Sequence, residues 1–198
     1  MSDGFPADVA GPDGRWEMRG RLCLIGAGLL LLSACGDDSP PPQAIPAPEV
    51  VRLPAASAGG ACQLLDYPVI EEAIGVRFEV SAASRYGKTD TCVVRGEAAD
   101  GPELALAVSP TTADSGIFAD EVVPRGGTSV KGLGKAAYRA TTKAAKGSGP
   151  GVEVGWLTGN GRLVNLRYTF PEGDEPVDLD EFAGKLVTLA KKIDISSL

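Results

Sequence analysis

Residues 22–34, LCLIGAGLLLLSA, form an apolar run of 13 residues, and this run divides the chain. A stretch that short does not span a bilayer comfortably, and it suits the apolar core of an export signal, which is cut from the mature protein. Arg19 and Arg21 stand just before it, as the positive flank of such a signal requires. Residues 1–17 carry four acids and one arginine, the wrong sign for that flank. Met18, followed by Arg-Gly-Arg, is therefore the expected start of translation. Residues 36–60 hold six prolines among Ala, Ser and Gly. They show no apolar periodicity, so an extended or disordered linker is expected there. What is left, residues 61–198, comes to about 140 residues, enough for one domain with its own core and too few for two.

Leu32-Ser33-Ala34-Cys35 closes the apolar run. A bulky residue, two small ones and a cysteine resemble the bacterial lipobox. The resemblance implies cleavage before Cys35 and alkylation of its thiol by diacylglycerol, with acyl chains of the palmitate type. Residues 1–34 are then an N-terminal extension and lipoprotein signal peptide, and residues 35–60 the lipidated start and its linker. Each buried methylene contributes about 0.8 kcal/mol, and two chains hold where one is marginal. The expected location is the extracytoplasmic face of the cell membrane, with the polypeptide outside the bilayer.

Four cysteines are present. Cys23 leaves with the signal and Cys35 takes the lipid, so Cys62 and Cys92 remain as an even pair in an oxidising compartment. A disulfide between them is expected, with two buried thiols as the alternative.

Within residues 61–198, Asp66 stands where it can cap a helix, with Pro68 in the first turn and Gly75 as the stop. Short strands are expected at Arg77–Val80, Thr91–Arg95 and Leu104–Val108, and a helix over 112–122 with Ile117, Phe118 and Val122 on one face. Val152–Leu157 and Leu163–Phe170 flank Gly159-Asn160-Gly161, the strongest short hairpin signal in the chain. A last helix is expected from about Asp178 to Lys192, with Phe182, Leu186, Leu189, Ala190 and Ile193 as its apolar stripe. Helix, strands, helix, hairpin and helix make a single α+β domain, an antiparallel sheet with helices packed on it.

This layout resembles a family of actinobacterial lipoproteins of unknown function, the DUF3558 type. The resemblance rests on the Leu32–Cys35 lipobox and the proline-rich stalk. Cys62-Gln63-Leu64-Leu65 opening a helix that ends Ala73-Ile74-Gly75, the second cysteine in Thr91-Cys92-Val93-Val94, and the segment Val130-Lys131-Gly132-Leu133-Gly134-Lys135-Ala136-Ala137-Tyr138 complete it. Val94 departs from it, since an aromatic is expected two residues after the second cysteine. The resemblance implies a cell-envelope lipoprotein and supplies no catalytic residues, cofactor or metal ligands.

The chain has no histidine, a net charge of −7 and 6% aromatic residues. Ser-His-Asp and Cys-His catalysis and His-ligated zinc are excluded within it, and nucleic acid is a poor partner. Gly126–Lys135 fails as a phosphate loop, because Ser129 stands where glycine is required and Ala136 where Ser or Thr is required. It reads as a turn before a strand. Glu71 and Glu72 are adjacent on a helix and point apart. Asp174, Glu175, Asp178, Asp180 and Glu181 lack the ligand alternation of a calcium loop and read as a solvated helix start. Lys131, Lys135, Arg139, Lys143 and Lys146 form a run of one charge sign, either a solvated loop or a mark of an anionic partner. The expected function is therefore non-enzymatic binding of a small apolar ligand, an envelope component or an envelope protein. The ligand would enter between the last helix and the sheet. The alternative is a carboxylate-dependent cell-envelope hydrolase.

Overall fold

A computed structural model describes residues 53–174 and 178–197. The expected export signal, Cys35 and the expected linker up to residue 52 lie outside the described residues. Within them, no helix is long and apolar enough to cross a membrane.

The packed chain extends further towards the N-terminus than residue 61. Two short 3-10 turns, Ala55–Ala58 and Gly60–Leu64, lead in, and Ala55, Ala61 and Cys62 are buried. Helix α1 spans Tyr67–Ile74 and ends at Gly75, whose φ of 73° lets its N–H reach the Glu71 carbonyl. Asp66 occupies the capping position but its side chain makes no capping bond.

The strands are β1 (Val80–Tyr86), β2 (Thr89–Arg95), β3 (Glu103–Pro110), β4 (Thr128–Ser129), β5 (Ala136–Thr142), β6 (Gly151–Leu157) and β7 (Arg162–Thr169). They form one sheet in the order β1-β2-β3-β7-β6-β5-β4, antiparallel throughout. Two meanders, β1 to β3 and β4 to β7, are thus joined where β7 pairs with β3, which places the last strand at the centre. Between them lie α2 (Ser115–Ile117) and a wider turn over Phe118–Val122. The expected helix over 112–122 is present over Ser115–Val122, as an α-helical turn continued by the wider one: Asp114 caps it by accepting from the N–H groups of Gly116 and Ile117, and Ile117 is 50% exposed. The strand expected at Arg77–Val80 starts instead at Val80, because its register is set by pairing with β2 rather than by its own apolar content.

Alternation divides the sheet into two faces. Val94, Leu104, Leu106, Val152, Val154, Leu166 and Tyr168 point to one face and are buried. Helix α3 (Leu179–Lys192) covers them with Ala183, Leu186, Leu189 and Ala190, and α1 adds Ile70 and Ile74. Each such aliphatic side chain contributes roughly 1.5–3 kcal/mol by leaving water. The expected cap is present at α3, where the Asp178 carboxylate accepts from the Glu181 N–H at 2.9 Å. The other face has one small core of its own, Phe118, Tyr138 and Leu157, roofed by the turn that follows α2.

Candidate functional site

Cys62, on the second 3-10 turn, and Cys92, at the middle of β2, are joined by a disulfide with an S–S distance of 1.98 Å. Both are fully buried. The bond pins the N-terminal segment onto the helix-covered face and takes both thiols out of nucleophilic or metal chemistry.

The boundary between helix and sheet, expected to admit an apolar ligand, is filled by side chains. Phe182 packs 4.5 Å from Tyr168 and 4.9 Å from Phe170, measured between ring centroids, and Phe78 meets Tyr168 edge-on. Burial, with a smaller contribution from Asp174, pushes the Tyr168 phenol up to about 12.

Three cavities lie elsewhere. One of about 640 Å³ opens where the chain enters the domain, between Leu53, Pro54, Tyr67 and Val80. Of its charged groups, Arg77 and Glu79 pair at 3.0 Å, and Glu97 also lines it. Another of about 650 Å³ lies between the β2–β3 and β5–β6 loops, where Arg95 and Glu103 neutralise each other. The third, about 520 Å³, straddles the β4 edge of the sheet.

The edge cavity is built by an interrupted strand. β4 pairs with β5 only at Thr128–Arg139 and Ser129–Tyr138. The chain then bonds once more, Val130 N–H to the Ala137 carbonyl, and lifts away as the loop 131–135. Gly132 and Gly134 take φ values of 72° and 57°. A Cβ on Gly134 would lie 2.3 Å from the Leu157 carbonyl oxygen, so only glycine fits there. Lys135 N–H then bonds that same carbonyl at 2.7 Å and β5 begins. The cavity is lined by Phe118, Val123, Ala136 and Tyr138, which pack together on the face away from α3, and by Leu133, which packs with the helix-covered core.

Tyr138 continues the site onto the sheet. Its hydroxyl donates to Glu153 Oε1 and accepts from Asn165 Nδ2 at 3.4 Å. Tyr138, Gly155 and Asn165 are register partners across β5, β6 and β7. Gly155 makes the arrangement possible, because a Cβ there would lie 2.3 Å from the Tyr138 ring. Burial first, and the Glu153 carboxylate second, raise the Tyr138 pKa well above its ordinary value, so the phenol stays protonated and donates.

The basic run does not form one patch. Lys131 and Lys135 line the edge cavity. Arg139 turns to the other face and donates to the Asp180 carbonyl at 3.3 Å, while Lys143 and Lys146 are exposed beyond the end of β5. The acidic residues are likewise dispersed: Asp178 caps α3, Glu181 pairs with Lys185, Glu72 pairs with Lys192, and Glu175 lies outside the described residues. Among the described residues no group of three Cys, Asp or Glu could hold a metal ion. Sequence reasoning missed Phe118, Tyr138, Glu153 and Asn165. The signal available for them was the aromatic at 138 amid alanines and the glycine at 155 in an otherwise apolar strand.

No family model matches the chain, and neither a curated protein nor a solved structure matches it.

Proposed function

We propose that the chain is an envelope lipoprotein of the kind its lipobox and stalk resemble, anchored by acyl chains on Cys35 at the extracytoplasmic face of the cell membrane. Its domain binds a small apolar ligand in the edge cavity without turning it over. The observation that carries this is the cavity itself: about 520 Å³, walled by Phe118, Val123, Leu133 and Ala136, within the range of small-molecule sites at roughly 300–1,000 Å³. The titratable residues lining it are Lys131, Lys135 and Tyr138. Tyr138 is held protonated and already bonded to Glu153, which favours holding a ligand over attacking one.

Anchoring is tested by Cys35→Ala, which should move the protein from the detergent phase to the aqueous one. Binding is tested by native mass spectrometry of the exported protein beside its Val123→Trp variant, whose indole would fill the cavity. A co-purifying small molecule lost in the variant supports the proposal. Turnover of a glycan or ester substrate, abolished by one Asp or Glu substitution, would replace it with the hydrolase.

A further inference from the structure

We infer that the edge cavity selects an amphipathic anion, a single acyl chain ending in a carboxylate or phosphate, with the head held by Lys131, Lys135 and Lys191. This rests on the cavity being the binding site and adds the class of ligand.

The charges argue for it. The protein carries a net −7, and some of its described cations are committed to carboxylates. Arg77, Arg85, Arg95, Lys185 and Lys192 each hold a carboxylate within 4 Å. Lys131, Lys135 and Lys191 form no ion pair among the described residues. Lys131 and Lys135 line the cavity mouth. Lys191 arrives from the last turn of α3, and its Nζ lies 3.7 Å from where a Cβ on Gly132 would sit. That places its ammonium beside the loop at Gly132. Three like charges gathered at one loop repel one another and leave a site complementary to an anion. The same cavity is lined by Phe118, Val123, Leu133 and Ala136, which no free phosphate or sugar would favour. A charged head at the lysines and an acyl tail between the walls satisfies both halves.

The test uses the full chain carrying Cys35→Ala, so that its own anchor does not compete, with decanoate, decyl phosphate, decanol and inorganic phosphate as probes in calorimetric titration. Decanoate or decyl phosphate should bind at least about tenfold more tightly than decanol, and inorganic phosphate far more weakly. The stronger of the two anions distinguishes a free fatty acid from a phospholipid-derived ligand, and either supports the inference. Lys131→Gln/Lys135→Gln/Lys191→Gln should lose that tenfold while leaving decanol binding and the melting temperature unchanged. The same three positions changed to Arg should keep it. Equal affinity for decanol and decanoate would overturn the head-group assignment and leave the cavity standing. Inorganic phosphate binding as tightly as decyl phosphate would overturn the acyl-tail assignment. No binding by any probe, unchanged by Val123→Trp, would remove the cavity as a site altogether.

Discussion

Removing the disulfide should cost the domain a large share of its stability, and the size follows from the structure. Cys62 and Cys92 are 30 residues apart. On the chain-entropy account, opening a loop of that length returns about 3.6 kcal/mol of entropy to the unfolded chain. Domains of this size have about 5–15 kcal/mol in total. With an unfolding entropy near 0.3 kcal/mol per degree for about 145 residues, the Cys62→Ala/Cys92→Ala variant should melt about 12 °C lower. The bond holds the buried N-terminal segment, including Ala55, Ala61 and Leu65, against the sheet, so hydrogen exchange there should rise more than in β7. Both sulfurs are fully buried, so a reductant should act on the native protein only at its unfolding rate. Scanning calorimetry and exchange on the two forms measure this. A drop below about 3 °C would refute the reasoning, because the bond would then constrain nothing the fold does not already hold.

Asp90 is buried and its carboxylate is gripped by Arg85 at 2.6 and 2.9 Å. The guanidinium holds the Asp90 pKa below its ordinary value, so the pair's contribution is present above about pH 4 and is lost as pH falls through the depressed folded value. Arg85→Ala should therefore destabilise the domain at neutral pH, and the gap to wild type should close on acidification; a gap constant from pH 7 to pH 2 would refute it. Asp178→Ala should cost about 1 kcal/mol in urea denaturation through loss of the α3 cap, with Asp178→Asn recovering most of it. Gly155→Ala should cost about 1–3 kcal/mol by driving out the Tyr138 ring, and should lower the phenol's titration midpoint, read by absorbance, towards the ordinary value. An unshifted midpoint would show that Tyr138 does not need the glycine.

The parts of the fold that sequence patterns reveal are those that carry their own local signal. The hairpin around Asn160-Gly161 and the stripe of α3 are of this kind: each alternates or repeats within a dozen residues, and each lies where expected. The disulfide follows from cysteine parity. β1 does not carry such a signal. Ser81-Ala82-Ala83-Ser84-Arg85-Tyr86 is almost wholly exposed and becomes a strand only by pairing with β2. β5 is signalled only as the strand that follows the turn at Gly126–Lys135, and its alternation shows once Ala137 faces the helices and Tyr138 faces away. The 112–122 segment does turn helical over Ser115–Val122, but of its expected face Ile117 stays exposed while Phe118 and Val122 pack toward Tyr138, which lies 20 positions beyond Phe118. The edge cavity was illegible for the same cause. Its walls come from the turn at 118–123 and the loop at 131–138, which share no local period.

Lysines beside a sheet edge have a simpler use, since charge at an edge discourages pairing with another chain. The distribution of charge between the two edges of this sheet separates that use from ligand recognition. β1 is the longer edge, seven residues against two in β4. It contains no lysine, and its one cation, Arg85, is committed to Asp90. What shields it is the turn at Ala55–Ala58, whose Ala55 carbonyl accepts from Ser81 Oγ at 3.3 Å. At the β4 end β5 is paired by Thr128 and Ser129 and by the Val130 N–H bond to the Ala137 carbonyl, and these backbone bonds owe nothing to charge. Lysines gathered for edge protection would be needed most at β1. Instead two of them line the cavity beside the short β4, and the Lys191 ammonium lies next to the same loop at Gly132. That placement answers to the cavity rather than to the edge.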